Sequence, residues 1–159
     1  MAKTQTQTDN AVIQSLQQQL ANAFLLYANY KKYHWESYGP LFRDLHLLFD
    51  EHATAVLGTI DELGERVRIL GSVPNADPRQ FGERGTAKIA EGKQTMREMI
   101  EEAVENHRRV IAEHRDAINT ATEANDPGTA DLFTRNVQIH EKQEWFLREV
   151  LEGGDGLLK

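Results

Sequence analysis

The chain has 159 residues, no cysteine and a formal net charge of -7. That length is one domain with room for a real core, and the lack of thiols excludes disulfides and cysteine-based zinc sites. The acidic balance argues against non-specific nucleic-acid binding by the body of the protein and suits attraction of cations, and with no charged leader and no apolar run of membrane length the expected location is cytoplasmic, without a membrane partner.

The polar opening, residues 1–8, is expected to be a flexible tail. A first helix follows from Asp9, as N-cap, to about Ser37. Its seam is Val12, Leu16, Leu20, Phe24 and Tyr27, spaced by four and three. Gly39-Pro40 turns the chain into a second helix over about residues 41–71, with Gly71 suited to the position just past its end. Residues 71–85 form the one long irregular stretch, with room for a short helical turn. Thr86 is expected to cap a third helix carrying Ile89, Met96, Ile100, Val104, Ile111 and Ile118. Asp126-Pro127 opens a fourth, carrying Leu132, Phe133, Val137, His140, Leu147 and Leu151 and stopping at Gly153-Gly154, before a short tail over 153–159. All four prolines, Pro40, Pro74, Pro78 and Pro127, fall between these segments, which is the punctuation of an all-α protein. Short links make the first and second helices, and the third and fourth, antiparallel neighbours. The link between the pairs can extend about 50 Å and return along a whole helix. One long crossover in a four-helix bundle is the ferritin-like arrangement.

His34, His46, Asp50, Asp61 and Glu65 carry the most chemical information. All are residue types that bind hard or borderline metal ions, and they stand 12, 4, 11 and 4 positions apart. The last four lie on the second helix. At about 100° per residue, with His46 at zero, Asp50 falls near 40°, Asp61 near 60° and Glu65 near 100°, so they share a stripe. They cannot share one ion, because the His46/Asp50 and Asp61/Glu65 pairs are separated by roughly 22 Å of helix and metal–ligand bonds are about 2 Å. Residues 46 and 65 have the same midpoint as residues 50 and 61, between Ala55 and Val56. A twofold axis there would lay the His46/Asp50 pair of one copy beside the Asp61/Glu65 pair of its mate, giving two identical shared sites per dimer. The alternative is that the three carboxylates are the solvated face of an amphipathic helix.

Several residues frame this reading. Di-iron bundles that build their site inside one chain use Glu-x-x-His motifs. Here the residues three before the six histidines are Lys31, Arg43, Phe49, Val104, Ile111 and Val137, so no such motif is present. His34 can approach His46 across the Gly39-Pro40 turn. Trp35 beside it either lines the site and accepts stray oxidising equivalents or is an interface aromatic. Gly58 and Gly64 inside the second helix fit a close approach of two helices, although Gly64 can equally serve packing within the bundle. His140 is a core or interface histidine, with an extra metal role as the alternative. His52, His107 and His114 read as surface or helix-face residues, and Glu98, Glu101, Glu102 and Glu105 as a solvated face. Two imidazoles with carboxylates suit iron, and equally zinc or manganese.

The stretches from His34 to Asp50 (HWESYGPLFRDLHLLFD) and from Ile60 to Pro74 (IDELGERVRILGSVP) resemble the two signature stretches of the Dps family, the mini-ferritins, with Ser37 where that family usually has an aliphatic residue. The resemblance implies a hollow homododecameric cage that oxidises Fe(II), usually with hydrogen peroxide and otherwise with oxygen, and stores ferric mineral, protecting against oxidative damage. It implies ferroxidase ligands at His34, His46 and Asp50 of one subunit and Asp61 and Glu65 of its twofold mate. It also implies a short helix in the crossover and acidic threefold pores, with Asp131 at a pore position and Asp126 and Glu123 nearby. Many members bind DNA through lysine-rich tails. Here the first thirty residues hold one basic residue, Lys3, and the C-terminal stretch adds Lys159, so weak DNA binding is expected. The rival functions are a DNA-condensing structural protein and a zinc- or manganese-binding cage.

Overall fold

A computed structural model describes the backbone of residues 5–152 and the side chains of residues 10–152. The chain forms five α-helices: α1 (Gln5–Glu36), α2 (Phe42–Ile69), α3 (Phe81–Arg84), α4 (Met96–Glu123) and α5 (Pro127–Leu151), with a 3-10 turn over Pro78–Gln80 and no strand among the described residues. This is the ferritin-like four-helix bundle, with α3 as the short helix of the crossover. The C-terminal tail 153–159 lies outside the described residues, as do residues 1–4 of the N-terminal one.

Four long helices share one core. α1 contributes Val12, Leu16, Leu20, Tyr30 and Tyr33, α2 Leu45, Phe49, Val56, Leu63 and Val67, α4 Met99, Ile100 and Val110, and α5 Leu132, Phe133 and Leu147. Cross-bundle partners fix the directions. Lys31 meets Asp50, Tyr33 meets Glu102, Gln143 meets His52 and Arg66 meets Thr129. Each pairs an early residue of one helix with a late residue of its neighbour, so α1/α2, α1/α4 and α2/α5 are antiparallel, and Arg108–Glu144 with Arg115–Glu141 gives α4/α5 the same sense. α2 ends as expected at Gly71, whose φ is +84°, with Gly71 N–H donating to Arg68 O and Ser72 N–H to Val67 O. Asp126 caps α5 and accepts from Thr129 N–H at 3.0 Å, with Pro127 in the first turn.

Two helix starts differ from expectation. α1 begins at Gln5, four residues before Asp9, because no proline or glycine interrupts Gln5–Thr8 and Asp9 is absorbed into the helix. α4 begins at Met96, not after Thr86. Residues 86–94 are non-helical, and Ile89, expected on the third helix, is part of that stretch and half exposed. Three buried asparagines from the long helices hold the segment. Asn22 Oδ1 accepts from the N–H groups of Thr86 and Ala87 at 2.7 and 3.0 Å. Asn29 brackets Lys88 O and Ala90 N–H. Asn106 both donates to Lys88 O and accepts from Lys88 N–H. Amides committed in this way are not available to a helical ladder. Thr95 is the true cap, in a reciprocal box with Glu98.

Glu102 also departs from the expected solvated face. It is buried and accepts from Tyr33 Oη, Gln94 Nε2 and Lys88 Nζ at 2.7, 3.0 and 2.8 Å. Those donors outweigh the burial that opposes its charge, so its carboxyl sits below its ordinary range.

Candidate metal centre

The Gly39-Pro40 turn folds the ends of α1 and α2 together. Gly39 takes φ +86°, a left-handed conformation that favours glycine, and its carbonyl accepts from Phe42 N–H at 3.0 Å. Ser37 donates its hydroxyl to Tyr33 O at 2.8 Å, so a polar residue at that position closes the last turn of α1.

His34 and His46 meet across this turn. Their rings stack with centroids 3.7 Å apart and planes 20° apart. His34 Nδ1–H donates to the carbonyl of His46 at 2.7 Å, and His46 Nδ1–H donates to the carbonyl of His34 at 2.8 Å. A carbonyl only accepts, so both Nδ1 atoms carry the proton and both Nε2 atoms are left with a lone pair. That is the tautomer and orientation a metal-binding imidazole needs. Asp50 lies one turn further along α2. Lys31 Nζ, from α1, is 2.6 Å from its Oδ1. This hydrogen bond, opposed by some desolvation, lowers the Asp50 pKa below the ordinary carboxylate range.

Asp61 and Glu65 are exposed on the same stripe of α2, and no intrachain hydrogen bond or ion pair reaches either among the described residues. The stripe also carries half-exposed Leu47 and Leu57, and a Cβ at Gly58 would meet nothing within 4 Å. One subunit therefore offers, on one helix face, a histidine pair with a carboxylate, two carboxylates unpaired among the described residues, and two exposed leucines, Leu47 beside His46 and Leu57 between the half-sites. No three histidine, aspartate or glutamate side chains of one subunit converge on a point that could hold an ion, among the described residues.

The remaining candidates fall in different settings. Trp35 is 72% exposed, with Lys31 Nζ 5.8 Å from its ring centroid. Asp126 is committed to its cap and to Arg66, whose Nη2 lies 2.5 Å from Oδ1. Asp131 is exposed but ion-paired with Arg135 one turn along α5, and Glu123 is exposed at the end of α4. His140 is buried, with Nδ1 3.1 Å from Nδ1 of His107.

Two features escaped the sequence reading. Lys31 is the partner of Asp50, and its position three residues before His34 was the available signal. The other is the histidines. His52, His107 and His114, expected as surface or helix-face residues, are on no exposed surface: all three are buried, and the last two line the bundle interior with His140. Burial pushes the pKa of His107 down to about 3 and that of His114 to about 4.

The family model for the ferritin-like domain matches residues 13–156. Among solved structures, a Dps from Thermosynechococcus elongatus superposes with TM-score 0.95 at 49% identity, covering 98% of this chain and 99% of that one. The Dps protein of Vibrio cholerae O1, described as a member of a broad superfamily of ferritin-like diiron-carboxylate proteins, superposes at 0.87 with 28% identity, covering 92% of each. DNA protection during starvation protein 1 of Deinococcus radiodurans is 35% identical over 142 residues, which is 89% of this chain and 69% of that protein.

Proposed function

Because the chain belongs to the Dps family of ferritin-like proteins, whose general role is iron storage and protection, we propose that it is a ferroxidase that oxidises Fe(II) with hydrogen peroxide and stores the ferric product inside a twelve-subunit cage. The observation that carries this reading is the reciprocal pair of hydrogen bonds between His34 and His46, which commits both Nδ1 atoms and leaves both Nε2 atoms with a lone pair, with Asp50 one turn along α2. The iron is substrate and cargo. His34, His46 and Asp50 of one subunit, with Asp61 and Glu65 of a twofold mate, would receive it. Three carboxylates with two neutral imidazoles suit a site that must hold Fe(II) and then tolerate Fe(III).

The exposed stripe on α2 supports the shared site, since its leucines would be buried by the same contact that brings the two half-sites together. The acidic chain would protect by removing iron and peroxide rather than by coating DNA. The test is to load the assembled protein with Fe(II) anaerobically, add stoichiometric peroxide and follow oxidation by absorbance. Fast oxidation with little hydroxyl radical released to a spin trap is expected. Oxidation no faster than iron in buffer would reject the reading.

A further inference from the structure

The bundle interior holds a phenol aimed at a chain of imidazoles. Tyr30 is 1% exposed, and its hydroxyl contacts His107 Nε2. His107 Nδ1 is 3.1 Å from His140 Nδ1. Beyond it lies His114, whose ring centroid is 5.3 Å from that of His140. The proton positions follow from what each group can do. Among the described residues His107 is the only hydrogen-bond partner of the Tyr30 hydroxyl, so the phenol donates and His107 Nε2 accepts. His107 then carries its proton on Nδ1 and donates it to His140 Nδ1, which leaves the His140 proton on Nε2. His114 donates through Nδ1 to Val110 O, so its Nε2 is an acceptor, and that atom is buried without a partner, as is the amide of Asn136. The result is a directional donor chain from a tyrosine through two histidines, with the buried ring of His114 5.3 Å beyond its end.

We propose that Tyr30 is a redox-active tyrosine that absorbs one-electron oxidising equivalents escaping from the iron site, its phenolic proton passing to His107 as the electron leaves. The inference rests on the ferroxidase reading above. When a lone Fe(II) meets hydrogen peroxide it gives Fe(III), hydroxide and a hydroxyl radical. That radical is the oxidant. It takes one electron from Tyr30 and is reduced to hydroxide, which gains a proton from solvent to become water. The Tyr30 O–H bond breaks, its proton forms a bond to His107 Nε2, and the Nδ1 proton of His107 shifts to His140 Nδ1. What remains on Tyr30 is a neutral phenoxyl radical, enclosed by protein.

Position and chemistry both favour this residue. Tyr30 precedes His34 by one helical turn, a rise of about 6 Å, and its ring lies 6.1 Å from Tyr33 and 6.2 Å from Phe49. Burial holds its pKa well above the ordinary tyrosine value, so it stays protonated until oxidised. An oxidised phenol is a strong acid, and a buried neutral imidazole in contact with it is a competent acceptor. Trp35, the aromatic next to His34 in sequence, is 72% exposed and has a lysine rather than a base over its ring. Tyr33 donates to Glu102, whose carboxylate is pinned by Lys88 and Gln94.

The experiment is freeze-quench electron paramagnetic resonance on the assembled protein, loaded with Fe(II) and mixed with peroxide, with iron oxidation followed by absorbance on the same samples. A tyrosyl signal that narrows with ring-deuterated tyrosine is expected. Tyr30→Phe should lose that signal while iron oxidises at the wild-type rate, Tyr33→Phe should keep it, and a variant with Tyr27, Tyr33 and Tyr38 all changed to Phe should retain it from Tyr30 alone. His107→Gln should lose most of the signal. Normal iron oxidation with no tyrosyl signal in wild type, or a signal that survives Tyr30→Phe, overturns the inference and leaves the ferroxidase reading standing. Absence of iron oxidation in wild type overturns both.

Discussion

Lys31 of α1 and Asp50 of α2 form a 2.6 Å ammonium–carboxylate contact beside the His34/His46 pair. A metal ion and this ammonium compete for the same carboxylate, yet the ammonium also keeps Asp50 ionised at lower pH, as the lowered pKa records. Lys31→Gln should therefore act in opposite directions at two pH values. Near neutrality, binding of Zn(II), used as a redox-inert probe, should tighten by about two- to fivefold, the scale of a partly exposed ion pair. On acidification the variant should lose binding at higher pH than wild type. Calorimetric titration at several pH values checks this, and unchanged affinity across the series would show that Lys31 does not bear on the site.

Asp61 and Glu65 have no partner within their own chain among the described residues, so changing them removes little from the fold. Asp61→Asn with Glu65→Gln should leave the assembled particle intact, as judged by gel filtration. Fast Fe(II) oxidation should fall at least about a hundredfold, to the range that loss of metal-binding groups produces. Because the two half-sites lie roughly 22 Å apart on one helix, complementation should follow. Chains carrying His46→Ala, co-assembled with chains carrying Asp61→Ala and Glu65→Ala, should regain part of the activity, since mixed dimers contain one complete site. Verified mixed particles with no recovery would place the site within single subunits.

The four long helices, their order and the crossover were legible because seam spacing and prolines are local signals. The His34–His46 approach was legible because a tight turn forces helix ends together. The start of α4 was not. Thr86 and Thr95 are both good caps, and the choice is made by Asn22 and Asn29, which reach across from α1, and by Asn106, which folds residue 88 back against α4 itself. One local clue was present: Thr95 is followed three residues later by Glu98, whereas Thr86 is followed by Ile89. The buried histidines also had a signal. Ile100, Val104, His107, Ile111, His114 and Ile118 repeat by four and three, which puts both imidazoles on the apolar seam of α4, although charged neighbours such as Arg108 and Arg109 gave the stretch a surface look. Lys31 was the least legible: its place three residues before His34 puts it near the site, but no spacing ties it to Asp50 on the next helix.

The asparagine clamp on residues 86–90 makes a prediction about stability rather than chemistry. Asn29 is buried and satisfies both the carbonyl of Lys88 and the N–H of Ala90, at 2.8 and 2.9 Å. Asn29→Ala would leave two backbone groups without that partner, at a cost of about 2–4 kcal/mol. Asn106 still holds Lys88, so the segment should loosen around Ala90 first. Guanidinium unfolding at fixed protein concentration should show the loss. Hydrogen exchange should show faster opening at Ala90 than at Thr86, and equal exchange at both would mean that the clamp does not act residue by residue.

Acid sensitivity follows from the buried histidines of α4 and α5. Burial lowers the pKa of His107 to about 3 and of His114 to about 4, and holds His140 well below its ordinary value, with the neighbouring imidazoles adding to the effect on His140. An unfolded histidine titrates near 6.5. Above that value neither state binds the proton, and the folded protein has its full stability. As pH falls below 6.5 the unfolded chain takes up protons that the folded one refuses, so stability declines by up to about 1.4 kcal/mol per pH unit for each histidine, until the folded values are reached. Glu102 and Asp126, whose pKa values are lowered, act in the same direction but only below the ordinary carboxylate range. The histidine loss should therefore be under way by about pH 5, before the carboxylates contribute. Replacing one imidazole separates the two causes. His114→Leu removes a buried group whose Nε2 has no partner and puts a side chain of similar size among Phe133 and the α4 seam. Unfolding free energies measured at about pH 7.5, 6 and 5 should fall with acid in wild type, and in His114→Leu the slope should be shallower by roughly one proton. An identical slope in the two proteins would mean that His114 takes up its proton in the folded state.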